Sequence, residues 1–324
     1  AGLIREAREV NKFHSTFIDS IFKFEHNGRI HAEINQLKGD AGGTVSGRLS
    51  YAHPNLQQIP ARNKDLGPRI RSLFLPDKNC RWASFDYSQQ EPRLVVHYAA
   101  SIGFNGTEDL IQAYQEENTD FHQTVADMAQ IPRSQAKTIN LGIFYGMGKN
   151  KLSRELGIDK QQADQILKEY NLKVPFVKQL ANRAAESADK NGAIWTLKGR
   201  KCRFNMWEPS SFGLHKAAAF EDAVNKYGKN NIKRAMTYKA LNRLIQGSAA
   251  DQVKQAMIDC AKKNFIPLIQ IHDELCFSIP HERLDPACKE IKEIMEVCIP
   301  ELKVPSKVDI ATGMNWGQTN DSKN

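Results

Sequence analysis

The chain has 324 residues, enough for one large domain or two to three smaller ones, each with its own core. Hydrophobic residues make up 41% and charged residues 25%, which excludes a disordered chain, and no apolar run approaches the ~20 residues of a membrane span. Lysine and arginine outnumber aspartate and glutamate by 45 to 37, an excess that favours a polyanionic partner.

The cysteines and the N-terminus both indicate a reducing compartment. The six cysteines show neither a CxxC pair nor regular spacing, which favours free thiols over a disulfide framework or a zinc site. The N-terminus lacks a signal-peptide core and an initiating methionine. We therefore expect a cytoplasmic protein and a piece of a longer chain.

Periodicity predicts a β-containing unit that is interrupted by a long helical region. A strand is predicted over residues 81–85, and hairpins are predicted over 194–204 and 267–280. Helices are predicted over residues 1–24, 111–129, 133–145, 160–170, 176–190 and 232–263, with an amphipathic helix after residue 284. The helical insertion would then span roughly 130 to 140 residues.

The segment "WASFDYSQQEPR" (residues 82–93) is an apolar strand that delivers Asp86 where a helix opens. A carboxylate at a strand end is well placed to hold a hard cation, because the sheet fixes it and the loop side stays open to water and phosphate. The alternative is that Asp86 caps the helix that begins at Tyr87 or Ser88, and for this motif alone the cap is the better interpretation. Pro92 disfavours helical torsions at Glu91.

A second acidic element is the hairpin "PLIQIHDELCFSIP" (residues 267–280), whose turn holds His272, Asp273 and Glu274 and has no glycine or asparagine. These acids could merely shape a polar turn. Two acid-bearing β elements in one basic chain change that balance, because Asp86 and Asp273 together could bridge two Mg²⁺ ions about 3.5 to 4 Å apart, as in polymerases and nucleases.

Three further segments carry polar side chains in suggestive patterns. In "RSQAKTINLGIFYG", Arg133, Lys137, Leu141 and Tyr145 are spaced four apart and form a helical stripe that suits a nucleotide, although a solvated basic turn is the simpler interpretation. Residues 44–62 combine arginines with amides that could contact DNA, or form an ordinary polar loop. Residues 241–251 place two amides one helical turn apart, a pattern also typical of a buried hydrogen-bonding pair.

These five segments, in this order, resemble the polymerase domain of the DNA polymerase I family, family A. "DYSQQEPR" is similar to its motif A, "RSQAKTINLGIFYG" to its motif B and "IHDEL" to its motif C. The segments "SGRLSYAHPNLQQIPAR" and "NRLIQGSAAD" and the closing "GMNW" resemble further family segments. Ordered matches from about Phe13 to Trp316 are far more specific than one short motif.

The resemblance implies an α+β fold: a palm with an antiparallel sheet, a helical fingers insertion and only a stub of thumb. Residues 1–27 would be the thumb remnant, 28–98 the first part of the palm with motif A, 99–234 the fingers with motif B, and 235–324 the second part of the palm with motif C. A 3′-5′ exonuclease would lie outside this chain.

The resemblance also implies the site residues. The catalytic set would be Asp86, Asp273, Lys137 and Glu274, and two Mg²⁺ ions, replaceable by Mn²⁺, would be held by Asp86, Asp273 and the Tyr87 backbone carbonyl. Nucleotide would be bound by Gln89, Glu91, His122, Arg133, Lys137, Leu141 and Tyr145. DNA would be bound by Arg48, Asn55, Gln57, Arg62, Asn242, Gln246 and His272.

The implied function is template-directed DNA synthesis from dNTPs on a primer-template, in replication or repair, by a monomer that an accessory processivity factor could assist. Two alternatives stay open: a single-subunit RNA polymerase, and a nucleic-acid-binding module that has lost catalysis. Several residues depart from the family pattern: Leu141 replaces an aromatic ring, Gln90 and Pro92 replace an isoleucine and a leucine, Tyr238 stands where an arginine is expected, and Asn320 stands where many members end in histidine. The short spacing between motifs and "SQQEP" resemble a phage enzyme, which implies the cytoplasm of a bacterium or of a phage-infected host.

Overall fold

The fold is seen in a computed structural model that describes residues 2–39, 42–60, 63, 65–116, 120–144, 147–211, 213 and 215–319. Within these ranges, the side chains of Glu9, Met128, Ala129, Leu141, Ile143 and Phe144 are not described. Along the described residues, no helix combines the length and the apolar character needed to span a membrane.

Helices dominate the chain. In chain order they are α1 (Gly2–Phe13), α2 (Ser20–Phe22), α3 (Leu66–Arg71), α4 (Gln90–Ile102), α5 (Glu108–Gln115), α6 (Phe121–Ala129), α7 (Arg133–Phe144), α8 (Lys149–Leu156), α9 (Lys160–Lys173), α10 (Pro175–Asn191), α11 (Phe220–Tyr227), α12 (Ala240–Lys262) and α13 (Leu284–Val297). A π-helical turn, His14–Asp19, joins α1 to α2.

The strands are antiparallel throughout. They are β1 (Glu25–His26), β2 (Arg29–Ile30), β3 (Glu33–Asn35), β4 (Ser50–Ala52), β5 (Cys80–Tyr87), β6 (Ala193–Trp195), β7 (Lys201–Arg203), β8 (Trp207–Pro209), β9 (Ile232–Arg234), β10 (Ile269–Ile271), β11 (Glu274–Pro280) and β12 (Val308–Gly313). A four-stranded sheet has the order β10-β11-β5-β12, and the other strands form two-stranded pairs. The predicted α+β class is confirmed.

The chain divides into two compact units. The first contains Ala1–Ser88, Gln252–Pro300 and Ser306–Asn324, and the second contains Gln89–Asp251 and Glu301–Pro305. The four-stranded sheet belongs to the first unit. The second unit is mainly helical, with α10 burying Phe176, Val177 and Leu180 in its core.

One face of the four-stranded sheet packs under α13. Strand alternation turns Phe85 and Tyr87 of β5 and Phe277 of β11 to this face, where all three are buried. The Phe85 and Phe277 rings meet edge to face at 5.5 Å, and the Tyr87 hydroxyl donates to the Met295 carbonyl at 2.7 Å. These contacts fix the end of β5 that carries Asp86.

The opposite face is covered by the "GMNW" segment near the end of the chain. Trp316 is fully buried, stacks on Trp82 at 5.8 Å and meets Phe74 edge to face at 5.5 Å. The next residue is Gly317, where a Cβ atom would lie 2.3 Å from the Pro68 carbonyl oxygen. Glycine therefore allows the segment to approach α3 closely.

Trp316→Ala is expected to destabilise the chain by about 3 to 5 kcal/mol, because it removes a buried indole and its ring contacts and leaves a cavity. Urea denaturation followed by circular dichroism measures this change. Trp195→Ala is the matched control, since 46% of Trp195 is exposed and its loss should cost less than about 1 kcal/mol. Equal losses for the two variants would contradict the packing argument.

The structure corrects four sequence expectations. The predicted helix 111–129 is wrong, because Asp120 adopts an extended conformation and caps a separate helix, α6. The predicted helix 232–263 begins only at Ala240, since Ile232–Arg234 pairs with β8 and Met236 has a φ of +61°. Strand β5 continues through Asp86 to Tyr87.

The fourth correction concerns the proline of motif A. Glu91 is helical, because α4 begins at Gln90 and Pro92 lies in its first turn, where its missing N–H has no intrahelical partner to lose. The helices 133–145, 160–170 and 176–190 and the hairpins 194–204 and 267–280 are confirmed within the described residues.

Candidate active site

The first unit brings acidic residues to one end of the four-stranded sheet. Asp86 on β5 pairs in register with Glu274 on β11 and with Asp309 on β12. Cross-strand neighbours of an antiparallel sheet point to the same face, so these three carboxylates share one face. Asp86 is partly exposed, Glu274 is buried and Asp309 is exposed.

Asp273 lies in the two-residue turn between β10 and β11. Its carbonyl oxygen accepts a hydrogen bond from the Tyr87 N–H at 3.2 Å, which ties the hairpin tip to the end of β5. The preceding His272 has a φ of +55°, a conformation that non-glycine residues adopt infrequently. His272 thus supplies the positive φ that a turn glycine would otherwise provide.

The capping alternative for Asp86 does not hold. Helix α4 begins at Gln90, and Gln89, with a φ of +53°, is its N-cap residue. Asp86 lies three residues before that cap, inside β5 and between two paired strands.

Arg71 and Asp309 lie at the acidic end of the sheet, and neither was selected from the sequence. Arg71 is 5% exposed and holds its guanidinium 4.4 Å over the Trp316 ring. Burial lowers the pKa of Arg71, and the charges of Glu274, Cys276 and Asp86 oppose this shift. The place of a buried arginine near acids depends on the tertiary fold, so no local sequence pattern predicts it. Asp309, in contrast, could have been selected from the sequence as the acid that shortly precedes "GMNW".

The oxygen donors at this end of the sheet suit magnesium. Among the described residues, no group of three or more histidine, cysteine, aspartate or glutamate side chains is arranged as a metal site. Mg²⁺ requires no such group, because it typically binds one or two carboxylates and takes its other ligands from water and substrate phosphates. Asp86 and Asp273 are hard oxygen donors of the right kind.

Gln270 links two predicted DNA-binding residues in the first unit, Gln57 and His272. The Gln57 amide donates to the Gln270 side-chain oxygen at 3.2 Å, and the Gln270 amide donates to the His272 carbonyl at 2.6 Å. Partial burial, followed by the positive charge of Arg48, lowers the pKa of His272. Asn55 is exposed, and its side-chain oxygen accepts a hydrogen bond from the Gln57 N–H at 3.2 Å.

In the second unit, Arg133 at the start of α7 binds Asp120. Its Nε donates to the Asp120 carboxylate at 2.7 Å, and its Nη2 contacts the same oxygen. Burial alone would raise the pKa of Asp120, but hydrogen bonds from Arg133, Gln123 and His122 outweigh it and lower the pKa. The guanidinium fork that binds this carboxylate also matches a phosphate.

His122 lies beside the same cations and is held by a buried network. Asn140 donates to His122 Nδ1 at 3.3 Å and accepts from the Tyr170 hydroxyl. Burial lowers the pKa of His122; Asp120 opposes this, and the positive charges of Lys137 and Arg133 add to it. Burial therefore favours the neutral form of His122, and a neutral ring that accepts from Asn140 at Nδ1 carries its proton on Nε2.

The other predicted site residues are only partly described. Gln89 accepts from the Phe121 N–H at 2.8 Å, so its side chain anchors the start of α6, and Glu91 lies partly exposed in the first turn of α4. Asn242 and Gln246 are partly buried, one turn apart on α12. Predictions for Arg62, the Leu141 side chain and Tyr145 lie outside the described residues.

Carboxylates brought together at one end of a sheet, as Asp86 and the Asp273–Glu274 hairpin are, supply the kind of ligands that the two-metal sites of polymerases and nucleases use. The profile of DNA polymerase family A matches residues 1–318. The chain belongs to DNA polymerase family A, and the resemblance seen in the motifs is confirmed.

Relatives come from phages and bacteria. A DNA-directed DNA polymerase of Pseudomonas phage M6 is 38% identical over 98% of this chain and 51% of its own length. The thermostable DNA polymerase I of Thermus aquaticus is 33% identical over 97% of this chain and 36% of its own length. The chain thus spans about one third to one half of the curated relatives it matches.

A solved structure shows the same fold. The polymerase domain of Pol1 from M. smegmatis, in complex with DNA primer-template and dNTP, superposes with a TM-score of 0.77 at 28% identity. The match covers 96% of this chain and 52% of that one.

Proposed function

We propose that this chain carries out template-directed DNA synthesis, transferring nucleotides from dNTPs to a primer 3′-hydroxyl. The observation that carries this proposal is the register that sets Asp86 beside the hairpin of Asp273 and Glu274 in a family A chain. The likeness to a Pol1 domain that binds primer-template and dNTP supports the same substrates.

In this proposal, Asp86 and Asp273 would hold two Mg²⁺ ions, with help from the Tyr87 carbonyl. The chemistry that the ions would supply there is a lowered pKa of the primer 3′-hydroxyl and neutralisation of the charge that develops on the leaving pyrophosphate. Glu274 is buried and pairs in register with Asp86, so its role in this proposal is to support the two metal ligands from close by. The positive charge of Arg71 interacts with Glu274 and Asp86 and limits their mutual repulsion.

The incoming nucleotide binds through the second unit. Lys137 lies one turn after Arg133 on the exposed side of α7, opposite the buried Ala136 and Ile139. Both cations lie near the start of this 12-residue helix, where the helix dipole also favours an anion. Arg133 and Lys137 therefore grip the triphosphate, and His122 Nε2 donates a further hydrogen bond.

The proposed layout follows the family. Residues 28–98 and 235–324 form the palm around the four-stranded sheet, residues 99–234 form the fingers, and residues 1–27 form the base of a thumb. Arg48, Asn55, Gln57, Asn242, Gln246 and His272 contact the primer-template. Because the relatives are phage and bacterial proteins, we place the reaction in bacterial cytoplasm, infected or not.

The choice of sugar tests the function. The chain with Mg²⁺ should extend a primed DNA template with dNTPs and should use rNTPs poorly, because Glu91 lies beside the 2′ position of the incoming sugar. Glu91→Ala should raise the use of rNTPs relative to dNTPs by roughly 10- to 100-fold, the range over which a pocket discriminates one small group. Primer extension at varied nucleotide concentration measures this ratio.

Two other results of the primer-extension experiment would each favour a different function. Equal incorporation of rNTPs and dNTPs by the unmodified chain would favour a single-subunit RNA polymerase and would remove the role of Glu91. DNA binding with no extension under any nucleotide would favour a binding module.

A further inference from the structure

A buried relay of polar side chains in the second unit runs from α9 through α7 to α6. The Tyr170 hydroxyl donates to the side-chain oxygen of Asn140, and the side-chain nitrogen of Asn140 lies 3.3 Å from His122 Nδ1. Asn140 is fully buried, Tyr170 is 1% exposed and His122 is 9% exposed. Because Asn140 and Tyr170 are shielded from solvent, any role that they have in the reaction passes through His122.

The surroundings of this relay are apolar. Phe121, Ile139 and Phe176 are buried in the same core as Tyr170. A buried hydrogen bond adds little net stability, because it replaces bonds to water, and apolar side chains of similar shape can serve a core equally well. Packing therefore does not explain why polar side chains occupy these positions.

The direction of each hydrogen bond decides which nitrogen of His122 carries the proton. Burial raises the pKa of Tyr170, so its hydroxyl keeps its proton and donates it to the Asn140 oxygen. The amide of Asn140 then presents its NH₂ group to His122, where Nδ1 accepts. A neutral imidazole that accepts at Nδ1 carries its proton on Nε2. With the amide turned the other way, the proton would lie on Nδ1.

The relay ends beside the cations that are proposed to bind the triphosphate. Arg133, Lys137 and Asn140 are spaced four and three apart on α7, so they follow one side of this helix. The charges of Lys137 and Arg133 also act on the pKa of His122. A proton on Nε2 would add a hydrogen-bond donor to this group, whereas a bare Nε2 lone pair would repel a phosphate oxygen.

We propose that Asn140 and Tyr170 are positioning residues that hold His122 in the tautomer with its proton on Nε2, from which the ring donates to the triphosphate of the incoming nucleotide. The identity of the acceptor rests on the proposed function, because it requires that the chain bind a nucleotide here. The tautomer does not, because it follows from hydrogen bonds within the second unit.

Nitrogen NMR measures the tautomer without catalysis. The complete chain is labelled with ¹⁵N-histidine, His122→Gln identifies the signal, and two-bond proton–nitrogen spectra are recorded about one pH unit above the ordinary histidine pKa of ~6.5. The unmodified chain should show a bare Nδ1 and a protonated Nε2. Asn140→Asp replaces the donor by an acceptor of similar size and should place a proton on Nδ1. Tyr170→Phe leaves the amide free to turn and should give both tautomers.

Binding of inorganic triphosphate, without divalent metal, tests the acceptor on the same samples. It should shift the Nε2 signal of the unmodified chain, and it should bind Tyr170→Phe about twofold more weakly, because about half of the molecules then carry the proton on the other nitrogen. In the His122→Gln background, Tyr170→Phe should have no further effect. Equal weakening in that background would show that Tyr170 acts through packing and would overturn its role as a positioning residue.

Tyr98→Phe is the matched control, since it removes another hydroxyl of the second unit, hydrogen-bonded to Ser248 at 2.7 Å, and should leave the His122 signals unchanged. A proton on Nδ1 in the unmodified chain would overturn the proposal without any variant, and so would an unchanged tautomer in Asn140→Asp. Absence of primer extension by the unmodified chain would instead count against the proposed function and would leave the tautomer measurement intact.

Discussion

Asp273→Ala is expected to abolish Mg²⁺-dependent primer extension, with a loss on the order of 10³-fold or more. Metal stabilisation of the developing charge amounts to several kcal/mol, and each 1.36 kcal/mol is a factor of ten in rate. Asp273 is placed for this role by the hydrogen bond that its carbonyl accepts from Tyr87. Single-turnover extension of a labelled primer, with saturating dNTP, measures the loss.

The same variant should keep salt-sensitive binding to primer-template, because the basic groups that contact phosphate are untouched. Asp309→Asn is the matched control: it removes the same charge from the same end of the sheet, on β12. We expect it to lower the rate by less than about tenfold. If Asp273→Ala extended primers at the normal rate, or if Asp309→Asn were equally damaging, Asp273 would not be the metal ligand.

The sequence predicts those parts of the fold that depend on local patterns. The alternation of apolar residues around residues 269–280 predicted the hairpin, and the apolar run at residues 81–85 predicted the strand with which it pairs. Register then follows from burial: a shift of one residue would turn Phe277 to the wrong face of the sheet. The pairing of Asp86 with Glu274 is a consequence of this register.

Features that depend on tertiary contacts were not predictable in the same way. Arg71 is held over the ring of Trp316, which lies about 245 positions later in the sequence, and no local pattern encodes that contact. Likewise, the helix predicted over 232–263 has good helical periodicity, but pairing of Ile232–Arg234 with β8 overrides it. Asp120 was missed because the predicted helix 111–129 runs across it, whereas α5 ends at Gln115 and Asp120 caps α6.

Lys137→Gln is expected to raise the KM for dNTP and to lower kcat, together by roughly 10²- to 10³-fold, the cost of removing one preorganised group that stabilises transition-state charge. The geometry around Lys137 supports this size of effect. Its positive charge, like that of Arg133, helps to lower the pKa of His122, so the two cations act on the same small region around His122. Arg133 shares its charge with Asp120, which leaves Lys137 as the larger source of net charge for a triphosphate.

Steady-state extension at varied dNTP concentration measures this loss, and fluorescence anisotropy of labelled primer-template measures DNA affinity in parallel. Lys151→Gln is the control, because it removes an exposed lysine from the neighbouring helix α8 and should keep kcat and KM within about twofold. If Lys137→Gln lowered DNA affinity without changing the KM for dNTP, Lys137 would contact the primer-template and not the nucleotide. Equal losses in both variants would show that the rate follows total charge, because a specific contact at α7 predicts a loss for Lys137 alone.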